Sequence, residues 1–265
     1  MAKQVLMTGA GSGLGRELAL AYAREGAEVL LCDVNQARAE ETLALMPGSG
    51  HAVHVFDVSD PGAWQAMKQT IESRGRGIDV LFNNAGIASG GKIADIPDQE
   101  WARVMKINLD GVFFASRAIA PLMVQQRRGH ILATASLAGF VGSPELGAYG
   151  VSKAAVIALS EILRQEMSVH GVRVSVVCPS FFKTNLLESL EISHDRVGKF
   201  AARQMARGEL NATDVASYVL RQAERGQFLI LPHAEARRVH WLKRLFPNWL
   251  ARRVRQHFEM AEKAA

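Results

Sequence analysis

Seven short runs dense in apolar and β-branched residues recur along the chain: "QVLMT" (4–8), "EVLLCD" (28–33), "HAVHVF" (51–56), "IDVLFN" (78–83), "GHILATA" (129–135), "VRVSVV" (172–177) and "QFLIL" (227–231). Each is close to continuously hydrophobic rather than alternating. A strand of that kind has to be covered on both faces, which is the condition of a parallel sheet with helices above and below. Stretches of helical period separate the runs, at 14–25, 36–45, 61–73, 98–126, 150–169 and 213–224. Strand and helix alternate throughout, so the pattern predicts an α/β fold: a doubly wound parallel sheet of seven strands. No repeat, low-complexity block or linker interrupts it. The chain therefore reads as one unit over 1–232 and a C-terminal extension over 233–265.

Charge separates the same two parts. The net charge is +5, yet residues 237–265 carry eight Lys/Arg and two Asp/Glu, leaving the remaining 236 residues near −1. A near-neutral body argues against nucleic-acid binding. No uninterrupted apolar run approaches the ~18 residues of a membrane span. The N-terminal "MAKQVLMTGAG" leads almost directly into a strand, which leaves no room for a signal peptide. The two cysteines, Cys32 and Cys178, lie in or beside apolar runs, so no disulfide framework is expected and a cytoplasmic location is the simplest reading. The eight histidines form no pair with ligand spacing, so no metal is implied.

After the first strand comes "TGAGSGLG" (8–15), with Gly9, Gly13 and Gly15 leading into a helix. Glycine permits a tight turn and close approach of backbone to ligand, and the helix start offers unpaired N–H groups to a pyrophosphate. Asp33 ends the second strand, 18 residues after Gly15. A carboxylate there accepts hydrogen bonds from a ribose 2′-hydroxyl and repels a 2′-phosphate. Val34 and Asn35 follow it, and Ser12 precedes Gly13, so no basic residue stands where NADP would want one. The expected cofactor is NAD, with NADP as the alternative.

These glycines, with "NNAG" (83–86), Asn108, Ser136 and the Tyr149–Lys153 pair of "AYGVSK" (148–153), resemble the classical short-chain dehydrogenase/reductase family over residues 3–231. The resemblance implies a Rossmann-type domain binding a nicotinamide dinucleotide. It places Gly9, Ser12, Gly13, Leu14 and Gly15 at the pyrophosphate, Asp57 and Val58 at the adenine, and Asn83, Ala85 and Gly86 along the cleft. It assigns Ser136, Tyr149, Lys153 and Asn108 to catalysis, with Tyr149 and Lys153 also touching cofactor. Asn108 would hold a water linking the lysine to solvent. "CPSFFKT" (178–184) keeps Pro179 and Thr184 but has Ser180 where the family has glycine. Groups near Phe182 and Thr184 would then meet the nicotinamide carboxamide. A homodimer or homotetramer is also implied.

The chemistry of the residues agrees. A free tyrosine, with pKa about 10, is a poor base near neutrality. An ammonium group one helical turn away is expected to favour phenolate. Tyr149 would remove the alcohol proton while hydride leaves the same carbon, with Ser136 holding the substrate oxygen.

The stretches 137–147 and 181–195 supply Phe140, Val141, Phe181, Phe182, Leu186, Leu187 and Leu190, and no arginine cluster. That inventory favours a bulky or lipophilic alcohol or ketone. In the extension, Leu242, Leu245, Phe246 and Trp249 suggest one apolar face and Leu250, Val254 and Phe258 another, with Pro247 separating two helices. Such a basic segment suits an anionic membrane surface, its own domain, or a partner subunit. Two other readings stand beside an NAD-dependent alcohol/ketone oxidoreductase: an NADPH-dependent 3-oxoacyl thioester reductase, and a cofactor-binding regulatory or membrane-associated protein without activity.

Overall fold

The computed structural model describes residues 2–183, 186, 188, 195–208 and 210–263. In chain order the elements are β1 (Gln4–Thr8), α1 (Gly13–Arg24), β2 (Glu28–Asp33), α2 (Gln36–Ala44), β3 (Ala52–Val55), α3 (Pro61–Ser73), β4 (Val80–Asn83), α4 (Asp98–Met105), α5 (Gly111–Gln126), β5 (Gly129–Thr134), α6 (Gly147–Ser168), β6 (Val172–Val177), α7 (Asp195–Arg207), α8 (Ala212–Glu224), β7 (Leu229–Ile230), α9 (Ala234–Leu245) and α10 (Pro247–Lys263). The seven strands form one sheet in the order β3-β2-β1-β4-β5-β6-β7, every neighbouring pair parallel.

Period-two alternation explains why the strands are apolar throughout. Val5 and Met7 of β1, Val29 and Leu31 of β2 and Phe82 of β4 face one layer, packed with Leu18 and Tyr22 of α1 and Val215 and Val219 of α8. Leu6, Leu30 and Leu81 face the other, packed with Trp64 and Ile71 of α3 and Ile119 and Met123 of α5. Neither face of these strands is left to water.

The largest departure from the sequence pattern lies in 98–126, which reads as one helix. The backbone instead forms α4, a π-turn over Lys106–Asp110, and α5. Asn108 sits in that π-turn, fully buried, its side chain bonded outside the helix. Residues 98–126 together are long and apolar enough to cross a membrane, but half of their apolar window is packed inside the protein. β7 is shorter than its apolar run, at the edge of the sheet, although Phe228 and Ile230 carbonyls still accept from Val176 and Cys178.

Strand order reverses beside β1: the chain builds β2 and β3 to one side, then crosses to β4 on the other. Loops leaving the C-terminal ends of β1 and β4 therefore diverge above and below the sheet, opening a crevice. Phe82, fully buried in β4, is central to the platform under it. Phe82→Ala is expected to cost about 3–5 kcal/mol, seen as a clear fall in thermal midpoint.

Candidate active site

The β1–α1 turn is built to come close to another backbone. Gly9 and Gly13 have φ of +63° and +52°, the left-handed region. A Cβ on Gly9 would come within 2.9 Å of the Ala85 Cα, and one on Gly15 would overlap the Gly9 carbonyl and the Asn84 amide. Ser12 is the N-cap of α1 yet makes no side-chain cap, and the first turn holds no acidic residue. By contrast α2, α3 and α8 are capped by Asn35, Asp60 and Asn211. Among the described residues the first N–H groups of α1 thus have no side-chain acceptor and suit an anion. Leu14 turns the other way, into the core.

Asp33 faces this turn. Its carboxylate accepts from the Gly11 N–H at 2.8 Å and the Asn35 N–H at 2.9 Å. The two nearby guanidinium groups are engaged by other carboxylates: Arg16 by Glu41 at 2.9 Å and Arg38 by Glu188 at 2.8 Å. After β3, exposed Asp57 accepts from the Ser59 N–H at 2.8 Å. Val58 is buried against Gly111, and its carbonyl accepts the Trp64 indole N–H at 2.9 Å. Asn83 ends β4 almost fully buried, with its Nδ2 lacking a hydrogen-bond partner among the described residues. Glycine cradle, uncapped helix start, fixed acid and unpartnered amide together fit a dinucleotide.

The chemical end lies past β5. Ser136 caps a short 3-10 turn, its hydroxyl accepting from the Ala138 N–H at 3.1 Å. That hydroxyl lies close enough to the Tyr149 phenol to favour its ionised form. Tyr149 and Lys153 stand one turn apart on α6, as the spacing predicted, with the ammonium 5.8 Å from the ring centre. Lys153 is only 4% exposed and donates to the Thr134 carbonyl at 2.9 Å. A Cβ on Gly86 would lie 3.2 Å from that ammonium and 3.1 Å from Asn108 Oδ1, so "NNAG", the π-turn and α6 meet at one point.

Asn108 is a brace. Its Oδ1 accepts from the Ile87 N–H at 2.8 Å, and its Nδ2 donates to the Ile87 carbonyl at 3.0 Å and the Ser152 hydroxyl at 3.1 Å. Ser152 in turn donates to the Tyr149 carbonyl at 2.8 Å. With its side chain committed, any water relay through Asn108 falls to its backbone.

Asn84, Thr134 and Ser152 were not singled out from sequence, yet they join the two ends. The Asn84 side chain donates to the Thr8 and Gly9 carbonyls at 3.3 and 3.4 Å and accepts from the Thr134 hydroxyl at 3.2 Å. The Thr8 hydroxyl accepts from the Asn84 and Ala85 N–H groups at 2.9 and 3.1 Å. Their only sequence signals were adjacency: Asn84 inside "NNAG", Ser152 beside Lys153, Thr134 two residues before Ser136.

Burial sets the protonation states. It lowers Lys153 from 10.5 to about 8. It raises Tyr149 above its ordinary value, while the nearby Ser136 hydroxyl opposes the rise. In the chain by itself burial thus favours the neutral phenol, opposite in direction to the effect expected of the Lys153 ammonium.

Beyond β6, Pro179 is buried and Phe182 is only 7% exposed, its ring in the core and tilted against His233 at 5.8 Å. The Phe182 side chain is thus core rather than pocket wall. Thr184, Leu187 and Leu190 lie outside the described residues. Ser180 has a use where the family has glycine: its N–H donates to His233 Nδ1 at 3.1 Å and its hydroxyl to Glu235 at 2.9 Å.

The family model for short chain dehydrogenases matches residues 3–194. The chain belongs to the short-chain dehydrogenase/reductase family. Among solved structures of that family, a short-chain dehydrogenase/reductase from Burkholderia phymatum in complex with NAD is 31% identical, with TM-score 0.85 over 92% of this chain and 95% of that one. Levodione reductase is 27% identical, with TM-score 0.77 over 86% and 95%. Galactitol 2-dehydrogenase of Rhizobium johnstonii is 35% identical over 82% of this chain and 86% of its own length. A probable oxidoreductase, EphD, of Mycobacterium tuberculosis is 38% identical over 69% of this chain, which spans about a third (31%) of that protein.

For this short-chain dehydrogenase the Lys153 shift carries a stability sign. Between pH 8 and 10.5 the unfolded chain holds the Lys153 proton more tightly than the folded chain does, so this residue makes stability rise with pH across that window. Lys153→Met should therefore stabilise the cofactor-free protein at pH 7, on the order of 2 kcal/mol after loss of the Thr134 bond. The gain should shrink toward pH 10.5, as thermal midpoints across pH would read. An equal or larger gain at high pH would contradict the assignment.

Proposed function

We propose that the protein is an NAD-dependent oxidoreductase interconverting a secondary alcohol and a ketone, with a bulky or lipophilic substrate. The observation that carries the reading is the convergence of Ser136, Tyr149 and buried Lys153 at the crevice, joined through Thr134 and Asn84 to the Gly9 turn. Relatives named as dehydrogenases and a related structure with NAD bound support the reaction class.

The backbone of Gly9, Ser12, Gly13, Leu14 and Gly15 would hold the pyrophosphate, and Asp33 the adenosine ribose. Asp57 and Val58 would flank the adenine, while Asn83, Ala85 and Gly86 line the cleft. Pro179, Phe182 and Thr184 would meet the nicotinamide through backbone and hydroxyl groups. Tyr149 and Lys153 would contact its ribose. When bound, the dinucleotide supplies the acceptor or donor of hydride at the substrate carbon. Asp33 disfavours a 2′-phosphate by charge, which sets NAD above NADP and weakens the thioester reductase reading.

Ser136 holds the substrate oxygen by hydrogen bond, within reach of the nearby Tyr149 phenol. Tyr149 moves the proton: as phenolate it would take the hydroxyl proton in oxidation, and as phenol it would return it in reduction. The phenolate is favoured by the Lys153 ammonium and by the positive nicotinamide ring of an oxidised cofactor. Lys153, held by Thr134, keeps a positive charge beside the phenol below a pH of about 8. Asn108 positions Tyr149 and Lys153 through Ser152 and the Ile87 backbone. Phe140, Val141, Phe181 and Leu186 supply the apolar wall. The reading includes a cytoplasmic enzyme that assembles with copies of itself, for which exposed Phe113, Val151 and Ile162 on α5 and α6 offer a face.

Tyr149→Phe is the deciding variant. Steady-state assay over lipophilic secondary alcohols should show turnover reduced at least about a thousandfold, with NAD affinity by calorimetry nearly unchanged. A variant as active as the parent would rule out the phenol as the proton carrier.

A further inference from the structure

The C-terminal helices touch three loops on one side of the cleft, those after β4, β5 and β6. Past β6, Ser180 is clasped by His233 and Glu235, and Ala236 of α9 is fully buried in the cluster that holds Cys178 and Leu231. Arg237 donates to the Leu231 and Pro232 carbonyls, both at 2.9 Å, fixing the start of α9 to the end of β7. Past β5, the Phe140 ring meets His240 edge-on at 5.3 Å. Past β4, the Lys92 ammonium lies 5.8 Å from the Phe258 ring of α10. One side of each helix is thereby occupied, and Leu250, Val254 and Phe258 are half-buried as the second apolar face of the sequence pattern.

The other side is uncovered, and its composition is specific. Trp241 and Leu245, one turn apart on α9, are 58% and 61% exposed, with Arg238 and Arg244 three residues to either side of Trp241. Phe246, between the helices, is 57% exposed. On α10, Trp249 and Met260 are 42% and 63% exposed on a face shared with Arg252 and Arg253, and the Arg253 guanidinium stacks over the Trp249 ring at 5.4 Å. Large apolar side chains thus alternate with arginines on this face of a segment whose net charge is +6 over residues 237–265. Water is a poor solvent for those rings. A second copy of the same face is a poor cover, because a symmetric contact would set two such positive surfaces together.

We propose that the outer face of α9 and α10 is a docking surface for an anionic lipid bilayer, which sets the cleft mouth at the membrane surface where a lipophilic alcohol or ketone partitions. Trp241, Leu245, Phe246 and Trp249 enter the interfacial region and the arginines meet lipid phosphates. The substrate clause rests on the proposed function; the docking does not, and its test needs no substrate.

The test is vesicle flotation of the full-length protein with phosphatidylcholine alone and with about 30% phosphatidylglycerol added. Flotation with the anionic vesicles only, reversed by high salt, is the expected result. Two variants, Trp241→Ser with Trp249→Ser and Lys243→Glu with Arg244→Glu, should each weaken it at least about tenfold with unchanged thermal midpoint and NAD affinity. No flotation with anionic vesicles would overturn the proposal, as would full flotation of both variants. So would light scattering in which the variants drop to a smaller assembly, since the face would then be an interface between copies. Flotation with an inactive enzyme would leave docking standing and remove only the substrate clause.

Discussion

One buried positive charge organises the β5–α6 side of the candidate active site. Lys153 is enclosed by protein, and desolvation alone would make its ammonium a liability. It is tolerated because the Thr134 carbonyl accepts from it at the end of β5 and because Gly86, lacking a Cβ, lets "NNAG" approach. Those requirements set where α6 lies on the sheet, and Tyr149 comes with it one turn away. The π-turn in the preceding long helix belongs to the same constraint. It delivers Asn108 to Ile87 and Ser152, closing the space behind the lysine.

The dinucleotide end obeys a different rule, the absence of side chains. Gly9 and Gly15 are needed because two backbones and an amide meet where a methyl group would not fit. Asn84 ties the two rules together, bonded at once to the glycine turn and to Thr134, whose carbonyl holds Lys153. Both halves of the crevice are braced by one polar chain across the C-terminal ends of β1, β4 and β5. The two ends are thereby held in fixed relation, as the proposed hydride and proton transfer would require.

The strands were legible because each carries two apolar faces in one run, and β1, β2 and β6 have the bounds that the pattern predicts. Asp33, Tyr149 and Lys153 were legible through spacing, which the regular strand and helix periods preserve. Thr134, Asn84 and Ser152 were not, because their function is a contact across elements and their residue types are ordinary at strand ends and in helices. The π-turn was hidden for a related reason: local pattern continues through 98–126, and only the buried pairing of Asn108 interrupts it. Phe182 misled as pocket wall, since hydrophobicity does not say which side of a loop a ring will take. In the tail the two apolar faces were visible, but not which of them would pack on the domain.

The central claim is that the crevice holds a dinucleotide with a carboxylate at one end and a tyrosine–lysine pair at the other. Calorimetric titration of the purified protein with NAD and with NADP tests it most directly. NAD should bind tighter by roughly tenfold or more, because Asp33 repels a 2′-phosphate. NADP binding as tightly as NAD would contradict the role given to Asp33.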